Sequence, residues 1–495
     1  MLLISIPLGV MAQEPVKTAT IPYSTRIELP PVLDESSGLM WWNGKLWSHN
    51  DSSGSDSIYA FDLETPQNYE QYHSGAPNKD WEALEQDEEY VYIGDFGNNK
   101  RILRQDLRIF KISKKSLLEG SPAVDTIKFY YPEQTDFSDR PQTEDTDFDC
   151  EAFIAAGDSL YLFTKQWISR QTAVYSLPKE AGTYAANYIT TYNIDGLVTD
   201  ADYLPNKRIL ALCGYSSTYL RQFIYILYDF EGTDFFSGQK YNFTLNLGLF
   251  PHQVEGITTP DGQRYYVTNE QTPVSTQRLH TFDVGNYFEE YLQRPETAGK
   301  ISGATFACQD NIPVTYSVLP IPQAETYEWT LPQGAKGNST SNSITVYFDT
   351  TAVSGNIIVR GVNSYGTGGG SSLPITVIRK PTTPYIHVAQ WDRNILVASS
   401  PTGNQWYNHE GAIAGATSQY LKVDRYSRYY VVTSVEGCSS APSNVIRTGA
   451  FMYLDVNNTK FETDTIIIPK KALPLHKHIE DNPKKKKRKF LFWYL

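Results

Sequence analysis

The sequence predicts an all-β chain, with an N-terminal β-propeller followed by two β-sandwich domains. One passage recurs five times within the first 285 residues, and the side chains are rich in aromatics, with 35 Tyr, 22 Phe and 9 Trp against 4 Met. Aromatic and β-branched side chains fit a pleated, half-buried surface. The repeat also stops after Tyr287, and 495 residues exceed what one core holds, roughly 250 to 300 residues.

Each repeat opens on a pentad: Glu35-Ser36-Ser37-Gly38-Leu39, Asp80-Trp81-Glu82-Ala83-Leu84, Asp149-Cys150-Glu151-Ala152-Phe153, Asp200-Ala201-Asp202-Tyr203-Leu204 and Gln253-Val254-Glu255-Gly256-Ile257. A turn and a β-rich run follow, at 45–48, 90–94, 159–164, 208–212 and 264–268, and a third run closes each unit, ending at Phe61, Ile112, Leu177, Tyr228 and Phe282. Units of this length, each with several strands, build radial propellers. Five units are visible, and the long gap between Glu82 and Glu151 leaves room for five or six blades over 20–290. The last strand of the ring is expected from the N-terminal segment, Thr25 to Leu29, beside the unit ending at Phe282.

Beyond the repeats, short alternating strands with a central Trp recur twice, over 299–379 around Trp329 and over 381–448 around Trp406. This spacing reads as two sandwiches, with each Trp in a core. Gly368-Gly369-Gly370 lacks the following Lys-Ser/Thr of a phosphate loop and reads as a strand connection. Cys150 and Cys213 lie in apolar pentad or strand settings, as buried free thiols do.

The net charge is −12 although Lys484 to Lys489 are six consecutive bases, so the remainder carries −18. A folded part this acidic argues against nucleic acid as a partner. The apolar start through Val10-Met11-Ala12 reads as a signal peptide over 1–12, and no other apolar run approaches the ~20 residues that span a bilayer. A secreted or cell-surface monomer is expected.

Residues that open the inner strand of each blade lie near one mouth of the channel. Glu82, Glu151, Asp202 and Glu255 are therefore expected to form a partial ring of carboxylates, with Ser37 at the fifth place. Such a ring needs a cation, shared protons or hydrogen bonds, because like charges raise one another's pKa. Hard oxygen ligands of this kind suit Ca²⁺, and the alternative is that each carboxylate caps backbone N–H groups between blades. A second tier at the ends of the second strands supplies Asp51, Asp95, Lys165 and Glu270. Lys165 is the telling one, since turn chemistry explains Asp and Asn there but not a lysine among carboxylates. His49 and His252 are possible general bases, although a lone His at a strand end is more often structural. No nucleophile elbow, zinc motif or triad spacing is present.

Asn50-Asp51-Ser52-Ser53-Gly54, Asn78-Lys79-Asp80-Trp81-Glu82-Ala83-Leu84 and Tyr92-Ile93-Gly94-Asp95-Phe96-Gly97-Asn98-Asn99 resemble the SdiA-regulated (YjiK-like) and phytase-like propellers of bacteria. The resemblance implies an envelope-associated or secreted propeller, and its phytase-like side implies calcium-assisted phosphate-ester hydrolysis. The segment 299–379 resembles PKD-like modules. Segment 381–448 is similar to the Ig-like repeats of type IX secretion surface proteins. These resemblances imply early and late cysteine partners that the chain lacks, so Cys308 and Cys438 are expected to be unpaired. Relatives end in a sorting domain, whereas 449–495 reads as a degenerate or disordered tail. Two functions stay open: a platform binding an extracellular carbohydrate, protein or small molecule, and a calcium-dependent hydrolase at the channel mouth.

Overall fold

The computed structural model describes residues 15–448 apart from 52, 53, 219, 249, 424 and 425. The leader expected at 1–12 and the tail at 449–495 lie outside the described residues. Five four-stranded antiparallel units form a ring, so the propeller has five blades. Their inner strands are Ser36–Trp42, Trp81–Gln86, Asp149–Ala156, Leu197–Leu204 and Val254–Thr258, and each packs beside the next around the channel. These strands, and the second strands behind them, are covered on both faces by neighbouring blades and read as nearly unbroken buried runs. The fourth strands face solvent on one side, as Val124–Tyr130 does with its alternating burial.

The gap between Glu82 and Glu151 holds no sixth blade. It contains the outer strands of blade two, the short helix Lys114–Leu118 and an acid-rich connection over 131–148. Thr25–Glu28 pairs antiparallel with Arg278–Asp283, so the first strands of the chain complete the last blade. Lys17–Pro22 adds in parallel to Gln239–Asn246 on blade four, which ties the same N-terminal segment to a second blade. Such closure joins the last blade to the first, and only short edges are left at the outer strands of the blades.

The first sandwich sets a sheet of Phe306–Cys308, Ser371–Ile378, Gly355–Asn363 and Thr326–Thr330 against a second built on Val314–Ser317 and Ser343–Phe348. Tyr316, Val346, Phe348 and Val359 fill its core, and Trp329 is half-buried with its indole N–H donated to the Ser341 carbonyl. The second sandwich packs around the fully buried Trp406. Its strand Arg428–Val435 leads into Cys438, which is disulfide-bonded to Cys308 of the first sandwich. The expectation of two unpaired cysteines is thereby corrected: each module lacks an internal partner because the partner sits in the other module. Cys150 and Cys213 are free and buried.

The propeller meets the first sandwich at the turn after the inner strand of blade four. Thr297 donates its N–H to the Asn206 carbonyl at 2.7 Å, and Ala298 donates to the Gly369 carbonyl at 2.9 Å. A side chain at Gly369 would meet Thr297 Oγ1 at 2.4 Å, so the three glycines are a close-packed strand connection.

Candidate functional site

Every inner strand carries a β-bulge at the same height, between Ser37 and Leu39, Trp81 and Ala83, Cys150 and Ala152, Val198 and Asp200, and Val254 and Gly256. A bulge leaves one residue unpaired and re-aims its side chain. The five bulged residues are Gly38, Glu82, Glu151, Thr199 and Glu255. Three of the four carboxylates expected at the mouth therefore occupy equivalent positions. Asp202 does not: the register of blade four is set by Thr199, and Asp202 lies three residues further down the channel, about 10 Å at 3.3 Å per residue. There it accepts the Thr259 N–H at 2.9 Å, and burial pushes its pKa up to about 7. In blade one the bulge falls on Gly38 rather than Ser37, whose hydroxyl donates to the Glu82 carbonyl at 2.9 Å.

One step below the bulges, Asp200 floors the mouth. Its Oδ2 accepts N–H groups from Ile257 at 2.8 Å and Leu39 at 3.1 Å, tying the inner strands of blades four, five and one together. This is the blade-to-blade capping weighed as the alternative for the whole ring, performed by Asp200 and, further down the channel, by Asp202 on the Thr259 N–H.

Above it, Lys165 Nζ lies 2.9 Å from Glu151 Oε2 and 4.0 Å from Glu255 Oε1, and all three side chains are almost fully buried. Burial works against the ammonium, but the two glutamates outweigh it and hold Lys165 charged. The rings of Trp167 and Tyr215 face the ammonium at 4.8 and 5.2 Å, and the Tyr215 hydroxyl donates to Glu255 Oε1 at 3.1 Å. Glu255 Oε2 is buried without a hydrogen-bond partner among the described residues. Burial pushes the Glu255 pKa up to about 7. Burial together with Glu151, Asp51 and Asp80 pushes the Glu82 carboxyl well above the usual range, although Lys100 lies near enough to act on it. Glu82 Oε1 and Asp80 Oδ2 lie 2.0 and 2.7 Å from where a Cβ on Gly97 would stand, so only glycine fits under this pair. Lys100, largely exposed, bonds the other Asp80 oxygen at 2.8 Å.

Of the second tier, Lys165 stands inside the mouth, and Asp51 and Glu270 stand beside Glu255, where burial and these like charges raise the Glu270 carboxyl. Asp95 does not join them. It is fully buried and held by Arg104 at 3.0 Å and Arg108 at 2.7 Å, an ion cluster inside blade two. His49 is buried edge-on to Trp81, and burial lowers its pKa to about 4. His252 pairs with the Ser275 hydroxyl at 2.8 Å. Both histidines hold the fold together. Sequence reasoning missed Asp80, Asp149 and Tyr215. Asp80 and Asp149 each begin an Asp-x-Glu-Ala pentad, and Asp149 accepts the Trp167 indole N–H at 2.7 Å and the Asn98 N–H at 2.6 Å.

Calcium needs six to eight oxygens at roughly 2.3–2.6 Å. Among the described residues no three carboxylate, histidine or thiol side chains converge as a metal site, and an ammonium already stands between Glu151 and Glu255. In this arrangement the donor set does not fit calcium.

Residues 294–375 match the PKD-like domain family. No curated protein sequence matches the chain. Among solved structures, hydrazine synthase of Kuenenia stuttgartiensis aligns at 12% identity and a TM-score of 0.27, over 82% of this chain and 79% of that one. AztD of Citrobacter koseri aligns at 8% and 0.25, over 83% and 90%. One chain of the complex between a mouse coronavirus receptor-binding domain and its murine receptor aligns at 12% and 0.21, over 30% and 98%. Similarity at this level carries no inference about activity. The PKD-like module beside the propeller makes this a multidomain chain compatible with an extracellular setting, and no helix among the described residues is long and apolar enough to cross a membrane.

Proposed function

We propose that the chain is a secreted or cell-surface protein whose propeller binds a cationic ligand at the bulge-lined mouth, while the two disulfide-linked sandwiches serve as spacers. The reading rests on charge. Among the described residues, Glu82, Glu151 and Glu255 enter one buried mouth in which Lys165 stands between Glu151 and Glu255, the largely exposed Lys100 acts on Glu82 from beside Asp80, and Glu255 Oε2 has no hydrogen-bond partner. Buried charge without compensation is costly, so a ligand that brings positive charge is stabilised there. An ammonium group suits the site better than calcium, because it needs only a few oxygens and Tyr215 and Trp167 already offer aromatic faces to a cation. The rival calcium-dependent hydrolase would require Lys165 to leave Glu151.

Isothermal titration calorimetry of the full chain with n-butylammonium at pH 8 tests the reading. Saturable binding at one site is expected, and it should be lost in Glu82→Gln/Glu255→Gln. Calcium binding in its place, abolished by the same pair, would favour the hydrolase.

A further inference from the structure

The mouth is surrounded by exposed apolar side chains. Inner strands begin at the mouth, so the connections between second and third strands, and those from an outermost strand to the next inner strand, open on that same face. Ile102, Ile168, Leu220 and Val274 stand on second-to-third connections of blades two, three, four and five, and Phe250 on the connection from blade four to blade five. Their exposures are 68, 61, 65, 55 and 61%, whereas no other large apolar side chain of the propeller exceeds the 52% of Tyr130 among the described residues. Single exposed apolar residues are ordinary on any surface. Here the five most exposed of the propeller share one face, which marks an interaction surface.

Between these knobs the face carries several carboxylates, some of them paired with arginines. The connection over 131–148 is anchored on blade two by the Arg140 N–H to the Arg101 carbonyl at 2.8 Å and the Glu144 N–H to the Asn99 carbonyl at 2.7 Å. It exposes Glu133, Asp136, Asp139 and Glu144, of which Asp139 pairs with Arg101 at 3.1 Å and Asp136 with Arg140 at 3.7 Å, and Glu35 lies exposed on the opposite side of the mouth.

We infer that this face docks a polypeptide that inserts one lysine or arginine side chain into the mouth and lays flanking apolar residues on the surrounding knobs. The inference rests on the reading of the mouth as a cation site and names the class of partner. The charge sets the choice: the cluster of buried carboxylates at the centre repels nucleic acid and acidic segments and attracts a basic one, while the margin around it is of mixed charge. A small amine would fill the mouth and leave the knobs bare, since they project from four different blades. Lysine and arginine carry a charge at the end of a slender apolar stem, which suits a buried acidic site behind an apolar margin. Apolar anchors around a desolvated charge are the usual energetic centre of a protein interface.

Fluorescence anisotropy of the full chain tests the proposal with two labelled peptides, one with lysine between two leucine–phenylalanine pairs and a twin with glutamate in its place. The lysine peptide should bind, more weakly as salt rises, and the twin should not. Ile168→Asp/Leu220→Asp alters only exposed side chains, so its melting temperature should be unchanged while peptide affinity falls at least roughly tenfold. Its butylammonium binding should stay as in the wild type. Unchanged peptide affinity in that pair, or equal binding of the glutamate twin, overturns the docking surface. So does a wild-type dimer that the pair dissociates in sedimentation, since the occupant would then be a second copy. Peptide binding that the pair abolishes, in a protein that binds no butylammonium, overturns the cation site alone.

Discussion

Replacing Glu255 by glutamine should flatten the fall in stability between acid and neutral pH. In the folded chain the Glu255 carboxyl is pushed up to about 7, against 4.5 for the free side chain, chiefly by burial. The native state therefore keeps a proton that the unfolded chain releases, so this stabilisation is complete below pH 4.5 and is lost as pH rises to about 7. At 1.36 kcal/mol per unit the loss is roughly 3 kcal/mol, or about 6 °C in melting temperature for a domain of this size. Glutamine keeps the Tyr215 hydrogen bond and cannot ionise. Thermal melts from pH 4.5 to 8 should show the wild type losing several degrees more than Glu255→Gln, with the variant the more stable at pH 8. Parallel profiles would refute the claim that Glu255 is desolvated in the mouth. The same titration predicts that butylammonium binds more tightly at pH 8 than at pH 6, because the ionised carboxylate is the form that attracts it.

Asp200→Ala should have the opposite effect to Glu255→Gln, destabilising by on the order of 4 kcal/mol because two buried N–H groups lose their acceptor; a melting temperature within a degree of wild type would remove Asp200 from its capping role. Deleting residues 17–28 strips the outer strands of blades four and five and should lower the melting temperature sharply, whereas an unchanged curve would contradict the closure. The Cys308–Cys438 bridge spans 130 residues, for which loop entropy gives about 5 kcal/mol, so Cys308→Ser should lower the unfolding transition of the sandwiches and leave that of the propeller in place. Calorimetry separates the two transitions, and equal shifts in both would show that the bridge stabilises more than its own modules.

The blades were legible because an inner strand buried on both faces leaves a dense apolar signature, repeated with turn residues between. The height of Asp202 was not. Asp200-Ala201-Asp202 looks like the other pentads, and the inner hairpin of blade four is long enough to accept either register; the bulge at Thr199 is a backbone feature that side-chain types do not announce. Asp95 read as a mouth residue because it ends a second strand, as Lys165 does. Its real partners, Arg104 and Arg108, come together only when the connection folds back. The pairing of Cys308 with Cys438 depends on how two modules stand against each other, which no spacing within either module specifies. The knobs around the mouth were invisible for the same reason: Ile102, Ile168, Leu220 and Val274 are isolated apolar residues in polar loops until the ring closes and places them on one face.

An anomalous difference map from crystals of the full chain soaked with 2-bromoethylammonium tests the central claim most directly. The account predicts a bromine peak in the mouth, with the ammonium within about 4 Å of the Glu82 or Glu255 carboxylate, and no such peak in Glu82→Gln/Glu255→Gln. Bromine found only elsewhere on the molecule, or in the mouth of the double variant as well, would contradict it.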